Sequence, residues 1–219
     1  GEKEIFSILD QLRDGLGPRV DKTMQELKDQ HGKDALEPWN LRYLIRGKSA
    51  DLLEPYLSFE DSLGLWLESF TQMGIGFRGA TLQLDLVTRK GKYDNGFMHG
   101  PIPSLYYQGE FRPAKINFTS NAVPGAKGSG KRGLKTLFHE GGHAAHFANI
   151  AMPAYSYSQE FAPTSIALAE TQSMFCDSLI NDAPWMLSYL KGSDGRPIPE
   201  ELVFQVVKEQ QKYRAILIY

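Results

Sequence analysis

The sequence feature that most constrains this chain is the pentapeptide HEGGH at residues 139–143. Its two histidines are four residues apart, so on an α-helix they lie one turn apart on the same face. That spacing allows both imidazoles to bind one zinc ion at roughly 2.0–2.1 Å. Glu140 lies beside the first histidine, where its carboxylate is placed to take a proton from an attacking water. The pentapeptide therefore predicts a zinc-dependent peptidase.

The residues around the pentapeptide predict a buried helix over about 131–150. A helix that is apolar around most of its circumference is buried, and Leu134, Leu137, Phe138, Ala144, Ala145 and Ala148 supply such faces. Gly141 and Gly142 each cost roughly 1 kcal/mol relative to alanine in a helix. Their presence predicts that another part of the protein approaches the helix backbone closely. His146, one turn beyond His143, is interpreted as a packing or supporting residue, not as a ligand.

Composition excludes several classes of partner. The chain has 219 residues, of which 42% are hydrophobic and 23% charged, as expected for a globular protein. Its net charge of −2 gives no indication of nucleic acid or an anionic membrane as a partner. No apolar run approaches the roughly 20 residues that span a bilayer.

The chain has a single cysteine, Cys176, which excludes an intramolecular disulfide. A lone cysteine favours a reducing compartment, so we expect the protein to be cytoplasmic. Because Cys176 lies in an apolar helical stretch, we expect it to be a core residue.

The apolar periodicity predicts a mostly α fold with a small antiparallel or mixed β-sheet. Helical patterns fill residues 1–78, with an interruption near Gly15–Pro18, and alternating apolar residues at 82–86 begin a small sheet within 79–120. Further strands are predicted near 104–108 and 114–119, with a loop over 89–100. Zinc-binding helices follow over 130–180 and C-terminal helices over 181–219. The apolar pattern at both ends of the chain suggests a fragment of a longer protein.

A catalytic zinc requires a third protein ligand in addition to the two histidines. One variant of the motif provides a third histidine six residues after His143, but that position is Asn149. The third ligand is therefore expected to be a later carboxylate, either Glu160 or Glu170. Glu170 lies in an apolar stretch predicted to be helical, where a carboxylate is costly to bury without a partner. Because a helix also fixes a ligand better than a loop, we favour Glu170 and keep Glu160 as the alternative.

The sequence FHEGGHAAH at 138–146 resembles the core motif of the thimet oligopeptidase and oligoendopeptidase F family of zinc peptidases. ETQSM at 170–174 is similar to the segment that carries the family's glutamate ligand. LQLDL at 82–86 and RKGKY at 89–93 resemble the strand and turn before the site. INFT at 116–119 resembles the edge strand that pairs with the substrate backbone in the family. The resemblance covers roughly residues 40–180.

This resemblance implies a zincin-like catalytic domain in which one Zn²⁺ is held by His139, His143 and Glu170, and Glu140 is the catalytic base. The implied activity is that of a metalloendopeptidase of the oligopeptidase type, acting on oligopeptides. Nothing after Glu170 resembles the family's His- and Tyr-containing segment that helps to stabilise the oxyanion, and much of its N-terminal helical part is not matched. We therefore expect an incomplete catalytic domain that binds zinc but hydrolyses peptides weakly or not at all.

Two alternatives to a peptidase come from the sequence. GAKGSGK at 125–131 matches the phosphate-binding loop of P-loop nucleotide-binding proteins. However, Arg132 stands where a Ser or Thr hydroxyl must bind Mg²⁺, so this segment is interpreted as a basic loop before the zinc helix. The second alternative is a non-catalytic module that binds zinc and peptide, which would show zinc occupancy without turnover.

Overall fold

A computed structural model of the chain describes residues 1–93, 96–150 and 166–218, and these form two compact units. One unit contains Gly1–Leu53 and the segment that begins at Pro199, and the other is Glu54–Ile198. The described residues are mostly helical and include a small mixed sheet, which confirms the prediction of a mostly α fold with a small sheet. None of the described helices is long and apolar enough to cross a membrane.

The helices and strands follow one another in three groups. Helices α1 (Glu2–His31), α2 (Pro38–Leu53) and α3 (Phe59–Gln72) come first. Strands β1 (Thr81–Val87), β2 (Phe97–Ile102), β3 (Leu105–Tyr107), β4 (Glu110–Arg112) and β5 (Lys115–Ala122) follow. Helices α4 (Ser129–Asn149), α5 (Ile166–Ser178), α6 (Ala183–Tyr189) and α7 (Glu200–Ile218) complete the described chain. Short 3-10 helices lie at Lys33–Leu36, Glu54–Tyr56 and Leu179–Asn181.

The first unit has a small apolar core in which Leu27 of α1, Ile45 of α2 and Tyr213 of α7 are buried. The predicted interruption near Gly15–Pro18 is wrong, because α1 continues through Pro18. A proline in a helix removes one backbone donor and costs about 3 kcal/mol. The helical pattern on both sides of this position is long enough to outweigh that local cost.

The sheet of the second unit has the strand order β1–β5–β2. β5 pairs with β1 in parallel, with Leu84 opposite Phe118, and with β2 in antiparallel fashion, with Met98 opposite Phe118. β5 is therefore the central strand, and the expectation of an edge strand at 116–119 is wrong. Because one of these pairings is parallel and the other antiparallel, the sheet is mixed.

Strand β2 (Phe97–Ile102) begins inside the loop that the sequence predicted over residues 89–100, so that prediction is wrong over residues 97–100. Gly100 and Pro101 lie in this strand. Because both residue types are depleted in strands, the sequence pattern did not predict one here. They are tolerated here because β2 lies at the edge of the sheet, where one side of the backbone needs no partner strand.

An aromatic cluster holds α4 against the rest of the second unit. Trp66 of α3 packs edge-on against Phe118 of β5, with ring centroids 6.0 Å apart. Phe138 of α4 packs edge-on against Phe70 and Trp185, with centroids 5.5 Å apart in each pair. The six apolar residues predicted to bury α4 are all buried. Helix α4 is thus fixed by both the sheet and the neighbouring helices.

Gly130, in the first turn of α4, has no space for a side chain. A Cβ at Gly130 would lie 1.8 Å from the main-chain oxygen of Leu57. By contrast, a Cβ at Gly64, in the exposed interior of α3, would meet nothing within 4 Å.

We therefore predict opposite effects of alanine at these two glycines. Gly130→Ala should lower the free energy of unfolding by about 1–3 kcal/mol because the backbone must move. Gly64→Ala should raise it by about 0.5–1 kcal/mol because alanine restricts the unfolded chain. Urea denaturation followed by circular dichroism measures both. A Gly130→Ala protein as stable as the parent would contradict the described packing.

Candidate metal centre

The two glycines inside the pentapeptide allow α4 to be approached from two sides. A Cβ at Gly141 would lie 2.4 Å from Nε1 of Trp66, and a Cβ at Gly142 would lie 2.9 Å from the Cα of Ser173 in α5. The prediction that these glycines mark close approaches to the helix backbone is confirmed. At Gly142 the approaching element is the backbone of α5, which carries Glu170.

The close contact of α4 and α5 brings His139, His143 and Glu170 together. Glu170 Oε2 lies 3.4 Å from His139 Nε2 and 3.7 Å from His143 Nε2. The two imidazole rings are nearly perpendicular, with centroids 5.1 Å apart. One ligand atom from each of the three residues lies within 4.8 Å of the others, so the group could hold a metal ion.

The donor atoms of this group fit zinc. Two ligands bound tetrahedrally at roughly 2.0–2.1 Å are separated by roughly 3.3–3.4 Å, close to the two distances found here. Two imidazoles and a carboxylate are also an established ligand set for catalytic zinc. The Glu170 side chain is 42% exposed and that of His139 is 27% exposed, so a further ligand can reach the cluster from solvent.

The electrostatics of His143 suit a metal ligand. Burial is the main reason that the pKa of His143 is lowered to about 4, with His139 and His146 nearby lowering it further and Glu170 opposing the shift. The imidazole is therefore neutral near pH 7, as metal binding requires. His146 lies outside the three-residue group, and its ring stacks on Phe147 with centroids 5.6 Å apart.

Glu140 is buried beside the cluster without belonging to it. Burial raises its pKa to about 7, and the charge of Glu170 adds to this effect. His139 and a hydrogen bond from the main chain of Met98 oppose the shift. The contact with Met98 places the Glu140 carboxylate next to strand β2.

Comparison with known proteins identifies the family of the chain. The sequence model of Peptidase family M3 matches residues 74–219, which include the sheet and both helices of the cluster. The chain belongs to peptidase family M3. A search of curated proteins found no match. Membership of family M3 supports peptidase activity in general, with peptides as substrates.

Two residues that contact the cluster were not predicted from the sequence. Asp177 Oδ2 lies 3.1 Å from His139 Nδ1, and the Ser173 hydroxyl donates to Glu170 Oε2 at 2.9 Å. Their spacing of three and seven residues from Glu170 places all three side chains on one face of α5, and this spacing could have revealed them. Burial favours the neutral form of His139, but the Asp177 hydrogen bond and the surrounding carboxylates outweigh it, so its pKa is raised.

The other residues considered for a functional role lie elsewhere. Glu160, the alternative third ligand, is outside the described residues. Cys176 is a buried free thiol whose pKa is raised by burial and by Asp177, consistent with the predicted core role. In the basic loop before α4, the Gly128 N–H donates to the carboxylate of Glu54 at 2.8 Å.

The contact of α5 with Gly142 can be tested by substitution. Gly142→Ala should force α5 away from α4 and displace Glu170 from the two histidines. The affinity of the chain for added zinc should then fall by about tenfold or more, since the residues of a metal site must be held within about 0.5 Å of the productive geometry. Chelator competition measures the affinity. Gly64→Ala serves as the control and should leave it unchanged. Equal affinities in the two variants would show that the contact does not set the position of Glu170.

Proposed function

We propose that this chain is a zinc-dependent peptidase of the oligopeptidase type, with a zincin-like HExxH centre that cleaves peptide bonds within oligopeptides. One zinc ion would be held by His139, His143 and Glu170. The observation that carries the proposal is the position of Glu170 Oε2, 3.4 and 3.7 Å from the Nε2 atoms of the two histidines. Membership of family M3 supports the same reaction class.

The proposed mechanism assigns proton transfer to Glu140. Bound zinc would supply Lewis-acid chemistry, polarising the scissile carbonyl and making water a stronger nucleophile at neutral pH. The Glu140 carboxylate accepts a proton as water attacks the carbonyl carbon, and returns it to the leaving amine. Glu140 suits this role because it is adjacent in sequence to His139 and is not one of the three residues that would hold the ion. Its carboxylate is therefore free to exchange a proton with the attacking water.

Strand β2 replaces β5 as the proposed partner of the substrate backbone. β5 is hydrogen-bonded on both sides, whereas the described residues supply no strand for the outer edge of β2. The contact of Met98 with Glu140 puts this edge beside the proposed base. An extended peptide added to β2 through main-chain hydrogen bonds would therefore present its carbonyl groups near Glu140.

The two alternatives are supported less well. A nucleotide phosphate at the start of α4 would meet the carboxylate of Glu54, which already accepts the Gly128 N–H and would repel it. A non-catalytic zinc- and peptide-binding module differs from the main proposal only in turnover. The expectation of weak turnover stays a prediction.

The proposed base and ligand can be separated by two substitutions. Glu140→Gln should keep one zinc per chain but lower peptidase activity by about 10²–10⁴-fold, because the proton acceptor is lost. His139→Ala should lose both the stoichiometric zinc and the activity. Metal analysis and digestion of a mixture of synthetic peptides measure these quantities. Glu60→Gln, which removes an exposed carboxylate from α3, is the matched control and should change neither.

Each outcome has a distinct meaning. Stoichiometric zinc in His139→Ala would overturn the proposed metal site. Equal activity in the parent and Glu140→Gln proteins would overturn the role of Glu140. One zinc per chain without turnover in the parent would favour the non-catalytic module, and rapid turnover abolished by Glu140→Gln would contradict the expected weak activity.

A further inference from the structure

The ring of His139 lies between two carboxylates from the same helix. Its Nε2 is 3.4 Å from Glu170 Oε2, and its Nδ1 is 3.1 Å from Asp177 Oδ2. A carboxylate accepts a hydrogen bond, so Nδ1 is the donor in the contact with Asp177. A neutral imidazole that carries its proton on Nδ1 has its lone pair on Nε2. The contact with Asp177 therefore directs the metal-binding lone pair toward Glu170 and His143.

The placement of Asp177 follows from the helical repeat of α5. Asp177 comes seven residues after Glu170, so the two carboxylates lie two turns apart on the same face. The Asp177 side chain is 17% exposed, less than half the exposed fraction of Glu170. A carboxylate shielded in this way holds the imidazole in one orientation, because water competes less for the hydrogen bond.

Helix α4 supplies a second partner for the same carboxylate oxygen. Lys135, one turn before His139, places Nζ 3.7 Å from Asp177 Oδ2. Its side chain is 57% exposed, so solvent screens this pair and its contribution is small. Asp177 thus joins the two helices through a close contact with His139 and a looser one with Lys135.

We propose that Asp177 is a positioning residue of the metal centre, which holds His139 as the Nδ1–H tautomer with Nε2 directed at the ion. Lys135 supports the Asp177 carboxylate. This inference rests on the proposed zinc site and adds to it a residue that is neither ligand nor base. Partners of metal-binding histidines of this type change metal affinity by about 10–100-fold when they are replaced.

The test compares zinc affinities by competition with a fluorescent chelator in the parent chain and its variants. Asp177→Asn preserves the shape of the side chain and should weaken zinc binding by about tenfold, and Asp177→Ala by up to about a hundredfold. Lys135→Met should have a smaller effect than either. The visible spectrum of the Co²⁺-loaded protein should change in both Asp177 variants, because the orientation of a ligand changes.

The control separates positioning from a general loss of stability. Asp182 accepts the Trp185 N–H at the start of α6, in the same unit, and Asp182→Asn should lower stability but leave zinc affinity and the Co²⁺ spectrum unchanged. Unchanged affinity and spectrum in both Asp177 variants, with zinc still lost in His139→Ala, would overturn the role of Asp177 alone. Failure of the parent chain to bind zinc would overturn the proposed function together with this inference.

Discussion

Helices α4 and α5 meet at Gly142, where a side chain on α4 would overlap the main chain of Ser173. The position of Glu170 relative to His139 and His143 depends on this contact, because it sets how closely α5 approaches α4. The preference for glycine at this position therefore has a geometric cause, which outweighs its cost to the helix.

The opposite side of α4 is fixed just as closely. Trp66 of α3 lies against Gly141 and also packs against Phe118 of β5. Phe138 of α4 packs against Phe70 of α3 and Trp185 of α6. Strand β2 pairs with β5, and the buried ammonium of Lys92 ties β5 to β1 by donating to the main-chain oxygens of Asp85, Val87 and Ser120. Support on both sides keeps the three candidate metal-binding residues, Glu140 and the outer edge of β2 in one arrangement, as a metal-dependent site would require.

Local pattern in the sequence was sufficient to predict the histidine helix, its buried faces, strand β1 and the core position of Cys176. The local pattern was not sufficient where contacts between residues far apart in the sequence decide the structure. Strand β2 contains Gly and Pro and exists because β5 offers it a partner, and Pro18 is accommodated by the length of α1. Asp177 was missed because its role depends on which face of α5 meets α4, although its spacing from Glu170 carried that information. Close inspection of helical spacing would have found it.

In the proposed site, His139, His143 and Glu170 hold one zinc ion between α4 and α5. X-ray absorption spectroscopy at the zinc edge measures which atoms are bound to the ion and at what distances. The sample is the chain loaded with one equivalent of zinc. We expect only nitrogen and oxygen neighbours around zinc, at roughly 2.0–2.1 Å, with the additional outer scattering of two imidazoles. A sulfur ligand at roughly 2.3 Å, or scattering from fewer than two imidazoles, would contradict it.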